Sequence, residues 1–150
     1  MIMTDRTRAR SASRLAAVQA LYQYDMEQPA MAQLLDEFHM HRLGAEIEDV
    51  EYADADVAFF DDVVKGVAAR REEIDGLVGA RLAQGWSIAR LDKTMLQILR
   101  AGTYELLARA DVPRATAISE YVDVAHAFFE AREAKFVNGV LDAVAKDVRG

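Results

Sequence analysis

Four arginines, Arg6, Arg8, Arg10 and Arg14, stand within nine residues in the stretch RTRARSASRLAAVQALYQYDM, Arg6 to Met26. A guanidinium offers a planar fork of donors that fits phosphate, and its flat face stacks on unpaired bases. Short arginine-rich segments often order only when RNA arrives. Residue type and spacing here point to phosphate, and to RNA in particular. The plainer alternative is a basic terminus without a ligand.

Catalytic chemistry is not legible in the same way. The histidines are His39, His41 and His126. A His-x-His pair on a helix points its two rings about 200° apart, which does not suit one metal ion. The absence of cysteine excludes disulfides, thiolate metal sites and cysteine nucleophiles. The glycines are scattered singly, with no phosphate-cradling loop and no GxSxG elbow. General acid–base work needs a carboxylate in an apolar pocket, and Glu105 in the segment TYELL is the one candidate. An ion pair or a hydrogen bond to a neighbouring helix accounts for Glu105 as well. The sequence predicts no enzyme, no metal and no cofactor.

The elements that must position the arginines are helices. Sustained alternation of β-branched residues is lacking, and the two prolines, Pro29 and Pro113, sit where helices begin or end. A first helix is expected from about Ser11 to Met26, behind a flexible basic arm over residues 1–9. Leu15, Val18, Tyr22 and Met26 fall within an arc of roughly 80° on it, and Arg10 and Arg14 border that arc. A second helix opens at Pro29 and runs to about Arg42, with Met31, Leu34, Leu35 and Phe38 spaced as one face. Gly44 to Asp54 reads as an acidic loop. Asp54 or Asp56 then caps a helix with the face Val57, Phe60, Val64 and Val67. The next helix carries Ile74, Leu77, Val78 and Leu82 and is capped by Gly85, with Trp86 packing the corner.

Asp92 starts the most apolar segment, DKTMLQILRAGTYELLARA, expected as the central and most buried helix. Gly102 inside it predicts a close approach to another helix. Pro113 opens the following helix, whose stripe is Ile118, Val122, Ala125 and Phe129. The last helix, from about Ala134, buries Phe136, Val137, Val140, Leu141 and Val144. Lys135 at its start places a cation at the positive end of the helix dipole, which favours an anion nearby. Asn138-Gly139 is poor for helix propensity and calls for a packing or contact reason. The fold class is therefore all-α, with about seven helices in two small three-helix bundles sharing a core. The 150 residues form one domain.

The net charge of −7 argues against a general nucleic-acid binder, but the charge is polarised. Residues 1–24 carry the four arginines against Asp5, whereas residues 36–62 carry ten carboxylates against Arg42. Such a chain can offer a small basic patch while its acidic side repels non-specific contact. Nothing reads as a transmembrane helix or a secretory signal, so a cytoplasmic protein is expected.

Three separated motifs carry a family resemblance: AVQALYQ at Ala17–Gln23, LRAGTYELL at Leu99–Leu107 and KFVNGVLD at Lys135–Asp142. They resemble the NusB family of bacterial transcription antitermination proteins over about Arg10 to Ala145, apart from residues 43–53. The resemblance implies an all-helical fold without catalytic activity. It also implies binding to boxA RNA of ribosomal RNA leader transcripts, with ribosomal protein S10 (NusE) as partner, in the RNA polymerase antitermination complex. Carried over by residue, the RNA contacts are Arg10, Arg14, Lys135 and Phe136, with Asn138 and the arm residues Arg6 and Arg8 added. The S10-facing residues are Tyr22, Met26, Lys93 and Met95. Two departures stand out: Ser11, Ala12 and Ser13 where relatives often continue the arginine run, and Arg132, Glu133 and Ala134 where an acidic–Ser–His pattern is usual.

Two other readings compete. A related module extends some ribosomal RNA cytosine methyltransferases, but 150 residues leave no room for a methyl-donor domain. The other is a helical interaction module that self-associates as a homodimer, with the arginines incidental.

Overall fold

The computed structural model describes residues 5–41, 43 and 56–150. The expected acidic loop at Gly44–Asp54 lies outside them. Among the described residues there are seven α-helices and no strand: α1 (Asp5–Glu27), α2 (Met31–His41), α3 (Val57–Ala69), α4 (Arg71–Gly79), α5 (Lys93–Ala108), α6 (Arg114–Phe128) and α7 (Ala131–Arg149). A single 3-10 turn, Ile88–Arg90, precedes α5. The chain divides into two compact units, Met1–Lys65 and Gly66–Gly150, with the boundary inside α3.

In the first unit, α1 begins at Asp5, so residues 5–9 are helical where a flexible arm is expected from sequence. It stops where Gln28 takes a left-handed conformation (φ 53°) ahead of Pro29, which cannot continue the helix. The buried positions of α1 are Ser13, Ala16, Ala17, Val18, Ala20 and Leu21, which are small or short, together with Arg14. Tyr22 and Met26, placed by their spacing on the apolar arc, are instead exposed. α2 packs on α1 and turns Leu34, Leu35 and Phe38 of the expected face inward, while Met31 is half-buried. The Phe38 ring stacks on Phe60 of α3 with centroids 5.6 Å apart, and beside it His39 Nε2 lies 2.6 Å from Asp61 Oδ1. Asp56 caps α3, its Oδ1 accepting from the Phe59 amide at 2.9 Å. Val57, expected in the core, faces out, and Phe59 and Val63 join Phe60 and Val64 inside.

In the second unit α5 is the axis, packed against α4, α6 and α7 and buried at every position from Met95 to Leu106. Asp92 is its cap and accepts from the amides of Thr94 and Met95. Gly102 has the predicted role: a Cβ there would lie 2.8 Å from Leu141 Cδ1 of α7 and 3.4 Å from Tyr121 of α6. Two charged side chains of α5 are paired with neighbouring helices, whereas the buried Thr103 hydroxyl has no hydrogen-bond partner among the described residues. Arg100 makes a two-pronged pair with Asp75 of α4, both distances 2.8 Å, and Glu105 accepts from the Tyr121 hydroxyl. Glu105 thus has a structural partner in a neighbouring helix. Arg149, at the end of α7, donates to the carbonyls of Glu105, Leu106, Arg109 and Val112 and so closes the C-terminal end of α5.

Three expectations are corrected in this unit. α4 ends at Gly79, and Gly85 (φ 92°) serves a later turn instead of capping it. Trp86 is 53% exposed and does not pack a corner. On α6 the inward positions are Ala117, Ile118, Tyr121, Val124 and Ala125, whereas Val122 and Phe129 are only half-buried.

Candidate nucleic-acid interface

Arg6, Arg10 and Arg14 recur every four residues on α1 and form one stripe along it, with Arg8 off that line. The stripe is not uniform. Arg6 and Arg8 are exposed, Arg10 is half-buried and Arg14 is 2% exposed. The cause is Phe59, which sequence separation hides. Its ring lies beneath both guanidiniums, 4.6 Å from that of Arg10 and 4.9 Å from that of Arg14. A cation held over a ring face is attracted by the ring's quadrupole, more strongly where water is excluded. Arg14 is therefore first a packing residue of the first unit.

The interrupted arginine run has a local reason. Ser13 is fully buried, with its hydroxyl 2.9 Å from the Ala9 carbonyl oxygen and 2.8 Å from that of Asp56. The Asp56 amide donates in turn to the Ala9 carbonyl at 3.3 Å. An arginine at position 13 would displace that junction. The Asp56 side chain also bears on the stripe, its Oδ2 lying 3.7 Å from Arg10 Nε.

In the second unit Lys135 and Asn138 are exposed one turn apart on α7, and Phe136 between them is half-buried. Phe136 lines a groove of about 610 Å³ with Trp86, Leu91, Met95, Phe129 and Arg132. Asn138 lines a second groove, about 580 Å³, between α6 and α7 with Arg114, Ile118 and Asp142. The Arg114 guanidinium, donating to Asp142 at 2.9 Å, holds that carboxyl below the usual range. A Cβ at Gly139 would meet nothing within 4 Å, so no packing within the chain demands glycine there. Arg132 is almost fully exposed one turn before Lys135, in the place read from sequence only as a departure. Its signal was its charge, together with Lys135 three residues on.

The residues expected to face a protein partner divide similarly. Tyr22 and Met26 are exposed on α1, and Lys93 is exposed at the start of α5. Met95, expected on that surface, is 5% exposed and forms part of the groove wall beside Phe136. Its place in the first turn of α5 turns it toward the core.

The NusB family profile matches residues 11–146. The chain is 79% identical over 142 residues to the transcription antitermination protein NusB of Novosphingobium aromaticivorans, covering 95% of this chain and 96% of that one. The chain belongs to the NusB family. The NusB of Sphingopyxis alaskensis is 67% identical over 98% of this chain and 99% of its own length. Among solved structures, NusB of T. maritima superposes with a TM-score of 0.74 at 28% identity, covering 98% of this chain and 94% of that chain. A structure of the antitermination factors NusB and NusE in complex with double-stranded RNA gives a TM-score of 0.77 at 26% identity, covering 93% and 98%. The all-α fold is thus the fold of NusB structures. The family match begins at Ser11, so Arg14, Lys135, Phe136 and Asn138 fall inside it, and Arg6, Arg8 and Arg10 precede it.

Proposed function

We propose that this NusB-family chain is a non-enzymatic RNA-binding adaptor in transcription antitermination. It binds boxA RNA of ribosomal RNA leader transcripts together with ribosomal protein S10 (NusE), in the cytoplasm, and keeps RNA polymerase processive. The observation that carries this reading is the 79% identity, over nearly the whole of both chains, to a transcription antitermination protein. The similar fold of a NusB–NusE pair solved with RNA supports the choice of partners.

In this reading Arg6, Arg8 and Arg10 supply forks to phosphate from α1, where two of the three are exposed. Lys135 supplies a compact cation to the same backbone, Phe136 a ring face for a base, and Asn138 a two-way hydrogen-bonding group. Tyr22, Met26 and Lys93 form the S10-facing set. Arg14 enters indirectly, by holding Phe59 beneath Arg10.

Terminator read-through tests the function itself. A cell extract depleted of its own NusB transcribes a template with a boxA leader ahead of a terminator. Adding this chain restores read-through, and a template with scrambled boxA gains nothing. Equal read-through on both templates would overturn the proposal.

A further inference from the structure

We propose that the Asp56 carboxylate is an internal competitor for the RNA phosphate at Arg10, and so sets the affinity of α1 for RNA. The inference rests on the RNA-binding role proposed for Arg10.

Asp56 is fastened beside the arginine stripe through its own backbone. Its amide donates to the Ala9 carbonyl, and its carbonyl oxygen lies 2.8 Å from the Ser13 hydroxyl. Residues 9 and 13 flank Arg10 on consecutive turns of α1. Oδ1 is committed to the Phe59 amide as the cap of α3, which directs Oδ2 to within 3.7 Å of Arg10 Nε. The Phe59 ring lies 4.6 Å from the same guanidinium. The cation thus has both a ring face and a fixed carboxylate as neighbours.

The pair is partly shielded, with Arg10 and Asp56 side chains 15% and 30% exposed. Shielded charges are screened less by salt than surface ones. A phosphate approaching Arg10 therefore meets a pair close to neutral, and must displace the attraction of the carboxylate before it gains that of the guanidinium. Capping does not require the charge, because an Asn or Ser oxygen accepts the same amide hydrogen bond. The negative charge at residue 56 is separable from the structural task of the side chain.

Substitution at residue 56 tests this in the full chain bound to S10, with labelled boxA RNA and a scrambled control titrated at a series of salt concentrations. Asp56→Asn is expected to tighten boxA binding about two- to fivefold, the scale of one partly exposed charge interaction. The log–log salt dependence steepens by about 0.7 to 0.9, as for one more phosphate neutralised. The gain vanishes in the Arg10→Ala background. Asp56→Ser supplies a second uncharged cap and behaves alike if the Asn variant is poorly folded. A wild-type chain that binds boxA and variants that bind no tighter, or a gain that survives Arg10→Ala, would overturn the inference alone. A wild-type chain that does not tell boxA from the scrambled RNA overturns the adaptor reading, and the inference with it.

Discussion

The guanidinium of Arg14 lies 4.9 Å from the centre of the Phe59 ring, and Arg14 is only 2% exposed. Two arginines one turn apart on α1 therefore have different duties. From sequence, Arg10 and Arg14 read alike, both bordering the apolar arc and both carried over as RNA contacts. Burial separates them. Arg14→Ala is expected to lower unfolding free energy by about 2 kcal/mol or more, because it removes a desolvated ring contact and opens a cavity. Arg14→Lys does not restore it, since an ammonium lacks the planar stack. Arg10→Ala costs within about 1 kcal/mol and acts on RNA binding instead. Urea denaturation of the three variants checks this; equal loss for Arg10→Ala and Arg14→Ala would contradict it.

The helix glycines make a graded series. At Gly66 a Cβ would enter the ring of Tyr104, and at Gly102 it would press on Leu141, whose side chain is fully buried. Gly102→Ala is expected to cost about 1–3 kcal/mol despite its better helix propensity, and Gly66→Ala at least as much. Gly139→Ala meets open space and should gain up to about 1 kcal/mol. If the gain comes with weaker boxA binding, the glycine on α7 is there for close approach of RNA. Thermal unfolding and RNA titration of the same three proteins separate the two effects.

Arg149 serves four carbonyls at once, with donor–acceptor distances from 2.7 to 3.2 Å. Arg149→Ala leaves the end of α5 without these donors and is expected to destabilise the fold by about 2–3 kcal/mol, the range for hydrogen bonds to a charged group. Arg149→Lys recovers little, since three donors on one nitrogen cannot span the same carbonyls. Faster hydrogen exchange confined to the segments around residues 105–112 would accompany the loss; unchanged exchange there would exclude a clamp.

The Arg81 guanidinium, donating to Asp147, holds that carboxyl below its usual value. A carboxyl lowered on folding adds stability that is present above its unfolded value near pH 4 and is lost as pH falls through the folded one. Asp147→Asn should therefore have a slightly lower melting temperature than the wild type at pH 6, with the gap closing as pH falls below about 4. A gap that does not narrow as pH falls below about 4 would show that the side chain acts through packing and not through its charge.

Local rules carried far in this sequence. Asp92 and Asp56 are caps, as their positions before apolar helices require, and Gly102 is a site of close helix approach. α5 is buried all round, as its composition demands. Periodicity was weaker at the edges of a stripe. For α3 it selected Val57 and passed over Phe59, which decides the fate of two arginines. Nothing near position 14 signals a ring contributed from position 59. Trp86 is exposed where a packed corner is expected, because the turn between α4 and α5 has no period to read, whereas Met95 is buried as the apolar pattern of α5 requires. The α7 residues proposed to contact RNA rested on the family motif KFVNGVLD more than on spacing; elementary chemistry marked only Lys135 and, through its poor helix propensity, Asn138-Gly139.

The central claim is that the chain recognises boxA RNA as one half of a composite with S10. Fluorescence anisotropy of labelled boxA RNA, with and without S10 and against a scrambled RNA of equal length, tests it most directly. Weak binding is expected for the chain alone and tighter, boxA-selective binding with S10, falling steeply with added salt. Equal affinity for boxA and scrambled RNA in the presence of S10 would contradict it.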